Sequence, residues 1–208
     1  MTYPGLPAVL PFLDCLSSLK TTPRTGWLYH GIEHPESIAD HMYRMGVLCM
    51  LCTDPKINKD HCVKMALVHD MAESIVGDIT PHDNVTKEEK HRMESEAMEK
   101  IASQLIPKNY AANAQEIQAL FQEYEAAETP EALFVKDVDK FEMIAQMFEY
   151  ERKYAGEKNL EQFTWAINIV KHPQVRGWAE EVLAERKRFW EQLKTNTPAA
   201  ASNESSKN

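Results

Sequence analysis

Apolar residues recur along this chain at helical spacing, and no two segments show the paired two-residue alternation of a half-buried sheet. Ile38, His41, Met45 and Leu48 fall at i, i+3, i+7 and i+10, which predicts a helix over 35–52 that the Asp54-Pro55 step stops. The same reasoning places helices over 6–19, 59–74, 86–105, 114–127, 130–154, 160–171 and 174–193. Thr86 stands three before Glu89, the spacing of a capping box, and Pro130 sits where a first turn tolerates proline. The stretch 195–208 is rich in Ala, Ser and Asn and lacks aromatics, so it reads as a disordered tail. The predicted architecture is a single all-α domain over 1–194 followed by that tail.

Composition narrows the function. Lysine and arginine number 23 against 32 acids, a net charge of −9, which disfavours nonspecific binding to nucleic acid or anionic lipid. No window approaches the roughly 20 apolar residues of a membrane span, and no basic, apolar leader opens the sequence. Cys15, Cys49, Cys52 and Cys62 are sparse and mostly lie among apolar helical residues, as reduced cytoplasmic thiols would. Cys49 and Cys52 form a CxxC, but inside a helix rather than on a knuckle turn, so they read as buried thiols and not as a zinc site. Met42, Met45 and Met50 read as core filler, and Lys87-Glu88-Glu89-Lys90-His91-Arg92 as a mixed-charge solvated face.

The residues that carry chemistry are His69 and Asp70, set in Ala66-Leu67-Val68-His69-Asp70-Met71-Ala72-Glu73. A carboxylate following an apolar helical run is costly unless it is paired or bound to a metal. On a continuous helix, Glu73 lies at i+4 from His69 and i+3 from Asp70, so the three heads lean to one side. His41 takes a place in its apolar stripe where leucine would ordinarily serve, and it offers a third metal ligand. A later helix should give a fourth, acidic ligand. Phe134, Val138, Phe141, Ala145 and Phe148 form its apolar stripe, whose periodicity leans toward Asp137 over Asp139 without deciding between them.

The segments 35–45, 66–73 and 77–81, in this order, resemble the HD-domain superfamily, and within it the 5′-deoxynucleotidase branch. The resemblance spans about 6–190 and includes the Lys87–Arg92 segment. It implies a helical bundle with a divalent ion, Co, Mn, Mg or Zn, on His41, His69, Asp70 and Asp139, choosing Asp139 over Asp137. It places Glu73 beside the metal as a general acid/base, or with Asp78 and the Ile79 carbonyl at a second ion. It puts Arg24 and Trp27 around the substrate, together with Asp70, Asp78 and Asp139. The implied reaction is hydrolysis of deoxyribonucleoside 5′-monophosphates by a cytoplasmic homodimer. Tyr29-His30-Gly31 departs from the more basic pattern of the family at this point.

Physical roles for these residues need no family. Arg24 can grip phosphate oxygens in a bidentate fork, Glu73 can move a proton, and Trp27 can stack on a base or wall a sugar. Taken singly, each has a plainer reading: Arg24 as a solvated loop cation, Trp27 as a core cap, Asp78 as a turn residue, Glu73 as a lysine partner. Two rivals stand beside the monophosphatase. One is a phosphohydrolase of the same superfamily acting on nucleoside triphosphates or cyclic nucleotides. The other is a non-catalytic helical interaction protein with a structural metal.

Overall fold

A computed structural model describes residues 9–196. Its α-helices are α1 (Leu10–Leu19), α2 (Thr25–Tyr29), α3 (Ile38–Cys49), α4 (Lys59–Ala66), α5 (Glu73–Val76), α6 (Lys87–Lys100), α7 (Ala111–Ala126), α8 (Pro130–Lys153) and α9 (Pro173–Asn196). Among the described residues there is no strand, only one isolated antiparallel bridge between Pro23 and Ser37. The all-α expectation holds. Residues 1–8 and 197–208, which include the start of the first expected helix and most of the expected tail, lie outside the described residues.

Helix α8 organises the rest. It packs against α3, α4, α7 and α9, and residues on every side of it are buried, from Phe134 and Val138 to Met147 and Tyr150. Thr129 caps it by accepting the Ala132 N–H at 3.1 Å, with Pro130 in the first turn. A helix buried all round must satisfy its polar groups internally, and α8 does so. Glu151 is fully buried and takes the Arg186 guanidinium at 2.8 and 2.9 Å, the Trp190 indole N–H at 2.9 Å and the Leu160 N–H at 2.8 Å. Asp137 Oδ2 accepts the N–H groups of Lys171 and His172 at 2.8 and 2.5 Å, fixing the chain as it enters α9.

Several expected helices differ in detail. The segment expected as one helix over 59–74 breaks after Ala66, and α5 starts afresh at Glu73. At the break, His69 Nδ1 donates to the Ala66 carbonyl at 2.9 Å, the acceptor that a continuing α-helix would offer to the Asp70 N–H. Backbone bonds then tighten to i+3 spacing, as from Val68 N–H to Met65 O (3.0 Å) and Glu73 N–H to Asp70 O (3.0 Å). Gly77 ends α5 at φ +77°, a conformation that costs a glycine little. Helix α6 closes through a π turn over Ile101–Leu105, and the segment expected as a helix over 160–171 is a 3₁₀ helix, Glu161–Asn168. Thr86 accepts the Glu89 N–H, but the Glu89 carboxylate goes to Arg92, so only half of the capping box forms. Cys49, Cys52 and Cys62 are buried free thiols, and burial pushes the Cys49 thiol up to about 12. Met42 and Met45 are core, whereas Met50 is 62% exposed because it lies on the outer face of the α3 terminus.

Candidate active site

Two imidazoles meet where α3 and the broken segment after α4 pack together. Their ring centroids are 5.5 Å apart, and both rings are buried. His69 Nδ1 is committed to the Ala66 carbonyl, and His41 Nδ1 donates to Glu142 Oε2 at 2.6 Å. Each commitment fixes a proton on Nδ1 and leaves Nε2 on the side of Asp70. Both Nε2 atoms are buried and have no hydrogen-bond partner among the described residues. They face the Asp70 carboxylate, at 3.2 Å from His69 and 3.8 Å from His41, and the ligand atoms of His41, His69 and Asp70 lie within 4.8 Å of one another. Asp139 Oδ1 is 3.4 Å from His41 Nε2. Two orphaned imidazole nitrogens beside two carboxylates suit a divalent cation. The residues present fit the metal.

The two aspartates of α8 face different partners. Asp137 turns to the Lys171–His172 backbone, while Asp139 meets His41, the Tyr124 hydroxyl at 3.3 Å and Lys140 Nζ at 2.8 Å. The apolar stripe pointed the other way because α8 is buried on all sides, so proximity to the stripe carries no information about which acid reaches the histidines.

Arg24 is held over this cluster by main-chain bonds. Its N–H donates to the Glu36 carbonyl at 3.0 Å, and the N–H of Ile38 donates to the Thr22 carbonyl at 3.1 Å. Asp78 Oδ2 accepts the Thr25 N–H at 2.6 Å, which ties the same loop to the end of α5. Arg24 Nη1 then reaches Asp70 Oδ2 at 3.0 Å. His69 and Arg24 hold the Asp70 carboxyl below the usual range, outweighing its burial. Glu73 is the opposite case. It is 3% exposed, its Oε2 has no partner, and burial with Asp70 and Asp78 nearby pushes its carboxyl well up. Lys90 stands 3.9 Å from Glu73 Oε1 and donates to the Ile79 carbonyl at 2.9 Å.

Trp27 is 3% exposed; its indole N–H donates to Glu36 Oε1 at 3.0 Å, and its ring packs on Tyr150 and Phe163. It is a core residue that also borders the cavity. That cavity, about 830 Å³, brings together Arg24, Trp27, His69, Asp70, Glu73, Asp78, Ile79 and Asp139. A second, more apolar cavity of about 540 Å³ shares Tyr124, Lys136, Asp139 and Lys140 with the first and is lined also by Asp137 and His172.

Several residues here were not foreseen. Glu142 is fully buried and bridges His41 to Arg44, whose Nε donates to Oε1 at 2.7 Å. The sequence does carry a signal: Glu142 follows Asp139, and Arg44 follows His41, by the same three residues, one helical turn. Lys87, Lys90, His91 and Glu94 also line the larger cavity, so α6 is not simply the solvated face that its mixed charge suggests. Lys136 and Lys140 border it from α8, with Lys136 Nζ 3.8 Å from the Tyr124 ring centroid.

A family model described as HD domain matches residues 16–176. The chain belongs to the HD-domain family. It is 73% identical over 183 residues to 5′-deoxynucleotidase hdd1 of Schizosaccharomyces pombe, which covers 88% of this chain and 92% of that protein. It is 46% identical over 199 residues to human 5′-deoxynucleotidase HDDC2, covering 95% of this chain and 92% of the human one. Among solved structures, HD domain-containing protein YGK1 superposes with a TM-score of 0.70 at 38% identity, over 91% of each chain. A Magnetospirillum magnetotacticum protein described as a predicted metal-dependent phosphohydrolase superposes with a TM-score of 0.66 at 25% identity, over 89% of this chain and 97% of that one.

Proposed function

We propose that this HD-domain chain is a metal-dependent 5′-deoxynucleotidase, releasing phosphate from deoxyribonucleoside 5′-monophosphates. The observation that carries the reading is the pair of buried, unpartnered imidazole nitrogens facing Asp70, beside Arg24 and Glu73, in a chain 73% identical to a protein named for that activity. His41, His69, Asp70 and Asp139 are the assigned holders of one divalent ion. When bound, the ion supplies positive charge that polarises the phosphoryl group and activates water for attack.

The remaining steps belong to the side chains. Arg24, already 3.0 Å from Asp70, is assigned to the phosphate oxygens, where a planar guanidinium binds two at once. Attack on phosphorus breaks the P–O5′ bond, and the departing 5′-oxygen needs a proton. Glu73 is assigned as its donor, since its buried carboxyl with a free Oε2 favours the protonated form. Asp78 acts through the Thr25 N–H to hold the Arg24 loop, and Trp27 walls the cavity. A second ion on Glu73, Asp78 and the Ile79 carbonyl would have to displace Lys90 from that carbonyl. The reading extends to Co, Mn, Mg or Zn as the ion, to a homodimer, and to the cytoplasm, where buried free thiols stay reduced. No helix among the described residues is long and apolar enough to cross a membrane.

The test is phosphate release from dAMP, AMP and dATP by chelator-stripped protein resupplied with each metal, with His69→Ala and Glu73→Ala alongside. Release from dAMP that needs metal, exceeds that from AMP and falls at least about 100-fold in both variants supports the assignment. Absence of release from any monophosphate with every metal overturns it in favour of triphosphates, cyclic nucleotides or a non-catalytic role.

A further inference from the structure

Arg24, His69, Asp70 and Asp139 make only part of the cavity's lining. A phosphate needs little more, whereas about 830 Å³ lies within the usual range for a whole small-molecule ligand. Another stretch of the lining, its rim, differs in chemistry from that cluster. On one side it is made by His30, at the end of α2, and by the 3₁₀ helix Glu161–Asn168, through Gln162, Phe163 and Trp165. None of the four carries a fixed charge. Burial, with His82 adding to it, lowers the pKa of the His30 imidazole, so at neutral pH this ring is a neutral donor and acceptor.

The rim is also built to stay in place. Phe163 packs on Trp27 at 4.7 Å and on the His30 ring at 4.9 Å, and Gln162 Nε2 meets His30 Nδ1 at 3.0 Å. Ala166 and Leu160 are buried and anchor the 3₁₀ helix from beneath. Trp165 is the exception in this rim. It borders the cavity, is 51% exposed and has no aromatic partner among the described residues. A large ring left half in water beside an anion-binding cluster is suited to stack on something flat and uncharged.

We propose that this rim is the nucleobase subsite: Trp165 stacks on the base, and the Gln162–His30 pair reads its polar edge. The proposal rests on the deoxynucleotidase reading and deepens it by naming what selects the base. The phosphate lies at Arg24 and the histidines, the sugar passes Trp27, and the base ends on the neutral rim. Stacking on an indole is tolerant of sequence and stronger for larger rings, so purines gain more than pyrimidines. A carboxamide held against an imidazole offers both donors and acceptors, which suits a base edge and not a phosphate.

The experiment compares KM and kcat for dAMP, dCMP and the base-free 2-deoxyribose 5-phosphate in wild type, Trp165→Ala, Trp165→Phe and Gln162→Ala. In wild type, KM for the base-free compound should exceed that for dAMP by about tenfold. Trp165→Ala should collapse that ratio toward one and weaken dAMP more than dCMP, while Trp165→Phe restores most of it. Gln162→Ala should shift the dAMP:dCMP ratio and leave the base-free KM within about twofold. Trp165→Ala protein that raises all three KM values equally, or none, overturns the subsite. Wild-type protein inactive on both nucleotides overturns the deoxynucleotidase reading first, and the subsite with it.

Discussion

Replacing Glu142 by glutamine tests whether the metal cluster depends on a group that never touches the ion. Glu142 Oε2 accepts from His41 Nδ1 at 2.6 Å, and Oε1 accepts from Arg44 Nε at 2.7 Å. A carboxylate serves both donors, but a carboxamide has a single acceptor oxygen. If that oxygen stays with Arg44, the NH₂ faces His41 Nδ1 and forces the imidazole into the tautomer that carries its proton on Nε2, the atom assigned to the metal. If it turns to His41, a donor faces the guanidinium in a buried place. Arg44 meets Oε1 through both Nε and Nη2, against the single donor of His41, so the oxygen stays with the guanidinium and the cost falls chiefly at the metal. Loss of such an outer partner lowers metal affinity about 10–100-fold, which is about 1.4–2.8 kcal/mol. The unmatched buried bond costs stability about 2 kcal/mol, or about 4–8 °C in Tm for a chain of this size. Calorimetric titration of chelator-stripped Glu142→Gln protein with Mn²⁺, next to thermal melts with and without the ion, reads both quantities. Folded Glu142→Gln protein that binds Mn²⁺ within about twofold of wild type would refute the argument, since the tautomer would then be fixed by something else.

The metal-free protein should lose stability as pH rises from about 6.5 to about 9. Burial and Arg24 oppose a charged His41, but Glu142 and Asp139 outweigh them and lift its pKa to about 9, so the charged ring stabilises the fold below the unfolded value and ceases to above the folded one. Because an ion takes the place of that proton, Mn²⁺ affinity should rise over the same window with proton release; chelator-stripped melts with a flat pH profile would contradict this. Asp137→Ala should lower Tm by removing the acceptor for Lys171 and His172, about 1–2 kcal/mol, yet leave Mn²⁺ affinity within about twofold, while Asp139→Ala should abolish it about 100-fold or more; the reverse pattern in titration calorimetry would restore Asp137 as the ligand. Asp78→Ala should raise KM for dAMP about tenfold by freeing the Thr25 N–H and with it the loop that carries Arg24, and an unchanged KM in steady-state kinetics would leave that loop to its main-chain bonds alone.

What could be read along the chain was whatever one helix or one turn determines. The apolar period of α3, the Thr86 oxygen on the Glu89 N–H and the proline opening α8 are each written within a few residues, and each appears in the structure, Thr86 without the returning half of its box. The His69–Asp70 pair and the odd His41 were legible for the same reason: a polar group in an apolar stripe needs a partner, wherever that partner comes from. Sequence periodicity fails where the decision is made by two elements at once. Asp137 and Asp139 are both buried on one helix, and only the position of α3 on one side and of the α9 entrance on the other sorts them. The break after Ala66 is invisible to period counting because what marks it is a side-chain bond, the His69 ring donating to the Ala66 carbonyl. The bond found at that break also puts a proton on His69 Nδ1 and leaves Nε2 toward Asp70. The irregular backbone at 67–72 and the tautomer that the proposed ligand role needs therefore meet at one residue, and replacing His69 removes both the bond to Ala66 and the nitrogen that faces Asp70.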